Sequence, residues 1–218
     1  MSENPERIKI FFLGEKGVGK TSIIYQFMRK KFVEDLQPTS GINITYPDLK
    51  FSNNETINLI NYDVSGNEKY LKFALSQLDE FSFIVLVYKV DRQYTFERLK
   101  DFWIKKLEEN GFAKKIIAIV GNKCELIERD IRDAVAKKFA DDNNVLFFNT
   151  TAKHSWSPTV NKLFEGIIKK IKGWEEEEGV KLIKIFPDGE SNEEEEEENE
   201  SLKKNQYYKT KKKKSGCC

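Results

Sequence analysis

Up to Trp174, the chain alternates between apolar runs of strand length and segments in which apolar residues recur with helical spacing. Two of the runs, residues 83–87 and 116–120, are apolar at every position, which is typical of strands covered by helices on both faces. Strands that alternate with helices are joined by right-handed crossovers and form a mostly parallel sheet. The pattern predicts strands at 8–13, 42–51, 56–62, 83–88, 116–121 and 145–149, and helices at 20–29, 69–78, 96–109, 131–142 and 160–171.

Candidate chemistry begins at the end of the first predicted strand, and open parallel sheets bind ligands at the carboxyl ends of their strands. A segment of the form GxxxxGK[ST] leads there into an apolar helix, the context that this motif requires. Its glycines let backbone N–H groups wrap a phosphate chain, and the helix N-terminus adds its positive end. Lys20 can reach the β- and γ-phosphates, and the Thr21 hydroxyl can ligate Mg²⁺. The predicted nucleotide-binding residues are Gly14, Glu15, Lys16, Gly17, Val18, Gly19, Lys20, Thr21 and Ser22.

Two further segments point to a triphosphate and its metal. Asp63 ends the third predicted strand and is suited to hold Mg²⁺ through water. Gly66, three residues on, can donate its N–H to a γ-phosphate. The polar loop between the first helix and the second strand offers the aromatic ring of Phe32 to a base and the hydroxyl of Thr39 to Mg²⁺. DxxG alone is a weak signal, but its position after the phosphate-binding loop makes it a strong one.

The fifth and sixth strands are followed by groups suited to a guanine base. After the fifth come Asn122, Lys123 and Glu125, where the carboxylate can accept two hydrogen bonds from the guanine edge and the lysine can lie along the base plane. After the sixth, backbone donors can reach the guanine carbonyl from Thr151, Ala152 and Lys153. Guanine is favoured over adenine by this combination.

Together these features resemble the five nucleotide-binding segments of the Ras-superfamily small GTPases, over about residues 7–172. Within that superfamily the chain is most similar to the Rab family, in residues 39–44 (TSGINI) and in its final Cys217 and Cys218. The resemblance implies a P-loop NTPase small G domain, an α/β fold with a six-stranded, mostly parallel sheet flanked by five helices. It also implies GTP and GDP with Mg²⁺, the metal being held by Thr21, Thr39 and Asp63. Thr39 would belong to the first switch loop, and residues 63 to about 78 would form the second.

The chain departs from the family pattern where hydrolysis takes place. The resemblance gives catalytic roles to Asn67, Lys20 and Gly66, but the family usually has a Gln at the first of these positions, which orients the attacking water. Asn is one methylene shorter, so slow intrinsic hydrolysis is expected. Ser65 replaces a small apolar residue, with no clear effect. Lys16 stands where the family usually has a smaller or uncharged residue. The sequence leaves three consequences open: the positive charge favours GTP binding, it crowds the catalytic residues of an activating protein, or the side chain points to solvent.

Other departures concern recognition of the base and of partners. Glu125 stands where the family reads guanine with Asp, and its extra methylene predicts guanine affinity weaker by about tenfold, with discrimination against adenine retained. Tyr62 stands where Rab proteins usually have a Trp on the surface that effectors contact, so the identity of effectors is not carried over. Trp103 is interpreted as a packing residue.

Charge separates a globular part from a tail. The chain has 218 residues and a formal net charge of +1, but the charges are segregated. Glutamates fill residues 175–178 and 193–198, and lysines occupy 209 and 211–214. Such blocks repel themselves and cannot bury apolar surface, so disorder is expected. The predicted organisation is an N-terminal extension at 1–6, a small GTPase domain at 7–173 and a disordered tail at 174–218.

The tail also carries the expected membrane anchor. Cys217 and Cys218 resemble a double geranylgeranylation site, and two lipid chains, or one chain beside a polybasic patch, anchor stably. No apolar run approaches the roughly 20 residues of a membrane span, and no signal peptide is visible. Three cysteines and one histidine indicate neither a disulfide framework nor a histidine-rich metal site. The sequence leaves three roles open for the glutamate run: a solvated spacer, a segment that keeps the globular part away from an anionic membrane, or a partner for the lysines.

The sequence therefore predicts a Rab-like switch that is lipid-anchored to the cytoplasmic face of endomembranes, with a cytosolic pool, and that recruits effectors in vesicle traffic. GTP would hold Thr39 and Gly66 and order both switch loops, and hydrolysis would release them. Expected partners are effector proteins, an exchange factor, a GTPase-activating protein, a prenylation escort and a GDP-dissociation inhibitor; nucleic acid is not expected. The alternative is a GTP-locked scaffold with negligible catalysis, for which the departures at Asn67, Ser65 and Lys16 argue.

Overall fold

The protein is described by a computed structural model at residues 7–29, 31–34, 36–153, 157–173 and 180–186. Within these ranges the strands are β1 (Ile8–Leu13), β2 (Ile42–Thr45), β3 (Asp48–Phe51), β4 (Thr56–Val64), β5 (Ser82–Lys89), β6 (Ile116–Asn122), β7 (Leu146–Thr150) and β8 (Leu182–Phe186). The α-helices are α1 (Lys20–Arg29), α2 (Leu71–Leu75), α3 (Gln93–Arg98), α4 (Lys105–Glu109), α5 (Asp133–Asp142) and α6 (Pro158–Lys172). Two 3₁₀ turns, Glu68–Tyr70 and Ala113–Lys115, and a π-helical stretch, Leu99–Ile104, complete the elements.

The strands form one sheet in the order β7-β6-β5-β1-β4-β3-β8, and β2 also pairs with β4. The five strands β1, β4, β5, β6 and β7 are parallel to one another, whereas β2, β3 and β8 pair antiparallel. The predicted α/β fold with a mostly parallel sheet is confirmed. Because the parallel strands end at the same edge, the segments that follow β1, β4, β6 and β7 are brought together there.

Alternation along β1 explains how the sheet is covered on both faces. Ile10 and Phe12 point into the core formed with α1 and α6, while Phe11 and Leu13 point into the core formed with the helices between β4 and β7. All four side chains are at most 1% exposed. On the first face, α1 and α6 are joined by the stacked rings of Phe27 and Phe164, whose centroids lie 3.5 Å apart.

The second predicted strand, 42–51, is interrupted rather than continuous, which corrects the six-stranded prediction. β2 ends at Thr45 and β3 begins at Asp48, yet both keep the same register against β4, Thr45 opposite Asn61 and Asp48 opposite Asn58. Pro47 lies in the gap, and proline has no N–H to donate to a ladder. Its carbonyl still accepts a hydrogen bond from the N–H of Leu59, at 2.9 Å. The proline therefore breaks the hydrogen-bonding pattern without changing the course of the chain.

Part of the tail is ordered, which corrects the disorder expected for residues 174–218. β8 pairs antiparallel with β3, with Phe186 opposite Asp48. Val180 and Phe186 are buried, and Leu182 and Ile185 pack against the core that α1 and α6 share. An apolar segment between two glutamate-rich stretches thus buries its side chains and satisfies the open edge of β3. The rest of the tail, including the lysines, Cys217 and Cys218, lies outside the described residues.

The helices over the second face are less regular than predicted. The helix expected at 69–78 is a 3₁₀ turn followed by the short α2, and the helix expected at 96–109 runs from Gln93 to Glu109 with a π-helical stretch in its middle. No helix among the described residues combines the length and the apolar character needed to span a bilayer.

Candidate functional site

The loop between β1 and α1 folds around the amino group of Lys20. Its Nζ donates to the carbonyl oxygens of Gly14, at 2.8 Å, and of Glu15, at 2.9 Å. The residue is 5% exposed, and burial lowers the pKa of its amine to about 8, against the opposing effects of Asp63 and Glu15. The structure thus holds a buried cation inside the glycine-rich loop, as the motif predicts.

The glycine-rich loop is hydrogen-bonded through Asn122 to residues 122–125, the predicted base-recognition segment. Its Nδ2 donates to the carbonyl of Val18 at 2.8 Å, and its Oδ1 accepts from the Thr150 hydroxyl at 3.1 Å. Gly19 has a φ of +96°, and a Cβ there would lie 2.2 Å from that Nδ2, so this contact requires glycine. Both ends of the Asn122 amide are occupied inside the protein, and its role is to hold three segments together.

Three oxygen-bearing side chains converge beside Lys20. The Thr21 hydroxyl lies 2.7 Å from the Thr39 hydroxyl and donates to Asp63 Oδ2 at 2.7 Å. Thr39 donates to the same carboxylate oxygen at 3.1 Å. These side chains come from α1, from the loop before β2 and from β4, so the fold assembles the predicted metal ligands.

The chemistry of this cluster fits a magnesium ion. Mg²⁺ prefers hard oxygen ligands and is usually held by one or two protein groups together with substrate phosphates and water. The second carboxylate oxygen, Asp63 Oδ1, is buried and has no hydrogen-bond partner among the described residues. Burial raises the pKa of this carboxyl, while hydrogen bonds from Thr21 and Thr39 and the charge of Lys20 act against that rise. A cation at this point would compensate the buried charge.

Lys20, Thr21 and Thr39 line a cleft of about 240 Å³, together with residues of the loop that follows β4. The residues lining it include Lys16, Lys20, Thr39, Ser65, Gly66 and Lys123. Gly66 approaches the glycine-rich loop so closely that a Cβ there would lie 2.2 Å from the backbone nitrogen of Lys16. Lys16 itself is exposed at the cleft. The phosphate-binding loop and the second predicted switch therefore meet at one opening.

Asn67 is exposed, and its side chain is engaged locally. Its Oδ1 accepts from the backbone N–H of Lys69 at 3.1 Å and caps the 3₁₀ turn Glu68–Tyr70. The N–H of Asn67 donates to the Ser65 hydroxyl at 3.4 Å, and Ser65 is anchored by its own N–H on the carbonyl of Gly41. Asparagine is among the best helix-capping residues, which glutamine is not. The amide expected to orient water is used here to fix the turn.

The predicted base-recognition segment is shaped around Glu125. Lys123 has a φ of +67°, and the N–H of Cys124 donates to the carbonyl of Thr150, which bends the chain at the end of β6. Glu125 Oε2 is buried without a hydrogen-bond partner among the described residues. Arg129 fastens the segment from outside, donating to the carbonyl of Cys124 and pairing with Asp133. A carboxylate oxygen is thus left without a donor where guanine recognition is predicted.

The segment after β7 faces the same edge. The N–H of Thr151 is bonded to the Thr159 hydroxyl at 3.2 Å, and that of Lys153 to the Thr151 hydroxyl at 3.2 Å. Within the part of the chain that the structure describes, no acceptor is recorded for the N–H of Ala152. Phe32 is partly buried and is not among the residues that line the cleft.

The sequence analysis did not predict the hydrogen bonds that join Glu15 to the helical segment from Gln93 to Glu109, the third helical segment of the chain. Its Oε1 accepts from Arg98 Nε and from Trp103 Nε1, both at 3.0 Å. Trp103 is 1% exposed and does pack in the core, as predicted, but its indole N–H also reaches this carboxylate. Arg129 was missed as well. Neither arginine lies in a motif, and only the tertiary fold brings them to the nucleotide-binding loops.

Comparison with known proteins identifies the family. A model of the Ras family matches residues 9–173. Ras-related protein Rab-22A of Homo sapiens is 32% identical over 165 residues, which cover 75% of this chain and 83% of the relative. Ras-related protein Rab-31 of Rattus norvegicus has the same identity and coverage, and GTP-binding protein ypt5 of Schizosaccharomyces pombe is 31% identical over 165 residues, 75% of this chain and 77% of its own. The matched region contains every element of the cleft, and the chain belongs to the Ras family of GTP hydrolases as a divergent, Rab-like small GTPase.

Proposed function

We propose that this protein is a guanine-nucleotide switch that binds GTP and GDP together with Mg²⁺ and hydrolyses GTP slowly. The observation that carries the proposal is the convergence of Thr21, Thr39 and Asp63 within 3.1 Å of one another, beside the buried amine of Lys20. Hydroxyl, carboxylate and ammonium groups in this arrangement suit a phosphate chain and its metal.

The residues of the cleft divide the work of binding a triphosphate. Lys20 binds phosphate oxygens, which replace the two carbonyl oxygens that its amine now contacts. Thr21, Thr39 and Asp63 hold the magnesium ion, which when bound neutralises charge on the β- and γ-phosphates. Gly66 donates its N–H to the γ-phosphate from the loop that follows β4. Loss of that phosphate removes the contacts of Thr39 and Gly66, which makes both loops sensitive to hydrolysis.

Base recognition relies on Glu125 and Lys123. The buried, unpartnered oxygen of Glu125 can accept from the guanine edge, and the fixed bend at Lys123 sets the direction from which it does so. Burial, with the nearby charge of Lys89, lowers the pKa of the Lys123 amine. The backbone N–H of Ala152 is available to the guanine carbonyl. A carboxylate acceptor selects guanine against adenine, because adenine presents no pair of donors on that edge.

Slow hydrolysis is supported by the engagement of Asn67. Its amide oxygen is bonded to the turn that follows, which fixes the direction in which this short side chain points. The same observation favours the second candidate function, a GTP-locked binding module with negligible turnover. The two candidates share the nucleotide site and differ only in whether GTP persists in the bound state.

The wider role that we propose is a membrane-anchored switch in vesicle traffic, as expected of a Rab-like protein. The Rab relatives favour effector proteins, an exchange factor, a GTPase-activating protein, an escort for prenylation and a GDP-dissociation inhibitor as its partners. Lipidation of Cys217 and Cys218, beside the lysines of the tail, would attach the protein to the cytoplasmic face of endomembranes.

Binding of fluorescent GDP, measured with Mg²⁺ and again with excess EDTA, tests the proposal. We expect GDP and GTP, but not ATP, to compete for the site, and we expect EDTA to accelerate GDP release. Asp63→Asn should remove the effect of EDTA. Asp48→Asn is the matched control, because Asp48 is also a strand residue, its carboxylate accepts from the Asn58 amide, and it does not line the cleft. Competition by ATP, or release that ignores Mg²⁺ in the unaltered protein, would contradict the proposal.

A further inference from the structure

The helical segment from Gln93 to Glu109 changes geometry where it passes the nucleotide-binding loops. It is α-helical up to Arg98, π-helical over Leu99–Ile104 and α-helical again from Lys105. Residues five apart lie about 140° apart around an α-helix. In a π-helix the turn is wider, with hydrogen bonds from i to i+5, so residues five apart come to nearly the same side.

The π-helical turn explains how two donors reach one acceptor. Arg98 and Trp103 are five residues apart, and both donate to Glu15 Oε1 at 3.0 Å. The Glu15 side chain is only 16% exposed, and a carboxylate so covered needs such partners. In an α-helical continuation the two side chains would point to different sides, and one of these hydrogen bonds would be lost.

Arg98 also reaches the second switch. Its Nη2 donates to the carboxylate of Glu68, which directly follows Asn67, and its guanidinium stacks on the ring of Phe102, 4.1 Å from the ring centroid. The guanidinium therefore joins a carboxylate of the phosphate-binding loop to a carboxylate of the loop after β4. The same two loops come close together at Gly66 and Lys16.

We propose that Arg98 is a positioning residue for the γ-phosphate side of the cleft: it fastens the second switch, through Glu68, to the phosphate-binding loop, through Glu15. The inference rests on the proposed guanine-nucleotide site and adds to it a residue of the third helical segment. Arg98 does not touch the nucleotide. By holding the turn Glu68–Tyr70 against the loop, it keeps Gly66 where its N–H meets the γ-phosphate.

This role makes a distinction between nucleotides. A diphosphate does not use Gly66, so its retention depends on the phosphate-binding loop and the base-recognition segment alone. A triphosphate uses all three. Breaking the link between Arg98 and Glu68 should therefore weaken retention of a triphosphate and leave that of a diphosphate nearly unchanged, an effect that general loss of stability would not produce.

The test compares dissociation rates of fluorescent GDP and of a fluorescent, non-hydrolysable GTP analogue from the full chain with Mg²⁺. Glu68→Gln, which breaks the pair with Arg98, should raise the dissociation rate of the analogue about fivefold, as expected for a partly exposed ion pair, with less than about a twofold change for GDP. Arg98→Gln breaks the same pair and also removes a donor to Glu15, so it should accelerate release of both nucleotides, with the analogue still the more affected. The double variant should be no faster than Arg98→Gln alone, because Arg98→Gln already removes the pair with Glu68. Arg98→Lys should give an intermediate dissociation rate, since lysine keeps the charge but lacks the several N–H donors with which the guanidinium contacts both carboxylates.

Two further variants separate this link from its surroundings. Trp103→Phe removes the indole donor to Glu15 and part of a buried ring, but it leaves the pair between Arg98 and Glu68 in place. It should therefore change the dissociation rates of both nucleotides by the same factor. Lys105→Gln is the control, because Lys105 forms an exposed pair with Asp101 at 3.7 Å on the same helical segment, away from the cleft.

The outcomes are distinct. If Glu68→Gln released both nucleotides faster by the same factor, or released neither faster, the role of Arg98 would be overturned while the proposed function stayed intact. Glu68 is 55% exposed, so its variant is expected to fold even if Arg98→Gln does not. An unaltered protein that binds neither nucleotide would overturn the proposed function and this inference with it.

Discussion

Replacing Asn67 by glutamine tests why hydrolysis is expected to be slow. In the structure the Asn67 amide oxygen caps the turn Glu68–Tyr70 through the N–H of Lys69, at 3.1 Å. Glutamine is one methylene too long to cap in this way. The substitution therefore frees the amide from the Lys69 N–H and also gives the side chain a longer reach. Loss of an asparagine cap costs about 1 kcal/mol of folding free energy, and less at an exposed site such as this one. In exchange, the amide becomes free to orient water.

We expect Asn67→Gln to hydrolyse GTP about tenfold faster than the unaltered protein, which corresponds to a barrier lower by about 1.4 kcal/mol. The assay is a single turnover of GTP-loaded protein, with GDP separated by chromatography over time. Asn67→Ala is the matched control, since it loses the same cap without supplying an amide, and it should be no faster than the unaltered protein. Equal rates for Asn67→Gln and Asn67→Ala would refute the reasoning, because the amide would then contribute nothing.

Three further substitutions probe the metal ligands, the base and the tail strand. Thr21→Asn removes the hydroxyl that lies 2.7 Å from Asp63, and it should lower the affinity for GTP more than that for GDP, measured by titration in the presence of Mg²⁺. An unchanged affinity for GTP would count against this hydroxyl as a magnesium ligand. Glu125→Gln replaces one of two acceptor oxygens by a donor and should lower GDP affinity by about tenfold or more, measured by fluorescence; equal affinity would remove Glu125 from base recognition. Phe186→Ala should lower the free energy of unfolding by about 3 kcal/mol in urea, because this ring is only 6% exposed; a change below about 0.5 kcal/mol would mean that β8 does not belong to the folded domain.

Much of the fold could be predicted because its signals are local. β1 and α1 have the predicted bounds, since an apolar run, a glycine-rich turn and an amphipathic helix follow one another without interruption. The division of the second strand could have been predicted from Pro47, whose missing N–H breaks the ladder. β8 was harder to foresee, because its pairing with β3 is decided by an exposed sheet edge far away in the sequence.

The candidate site shows the same division between local and tertiary information. Residues such as Lys20 and Asp63 were predicted because motif spacing and strand ends determine where they lie. Arg98 was not, because its contacts with Glu15 and Glu68 span 83 and 30 positions of the chain and depend on a π-helical turn that hydrophobic spacing does not reveal. The cap formed by Asn67 was not foreseen either, since the sequence shows a missing methylene but not what the shortened amide contacts.

The most direct test of the account is the identity of the nucleotide that leaves the gently purified protein when it is denatured, separated by ion-exchange chromatography. A guanine-nucleotide switch with slow turnover predicts close to one guanine nucleotide per chain, mostly GDP. Mostly GTP would instead establish the locked binding module. An adenine nucleotide, or no nucleotide from protein that also fails to take up added GDP with Mg²⁺, would contradict the central claim.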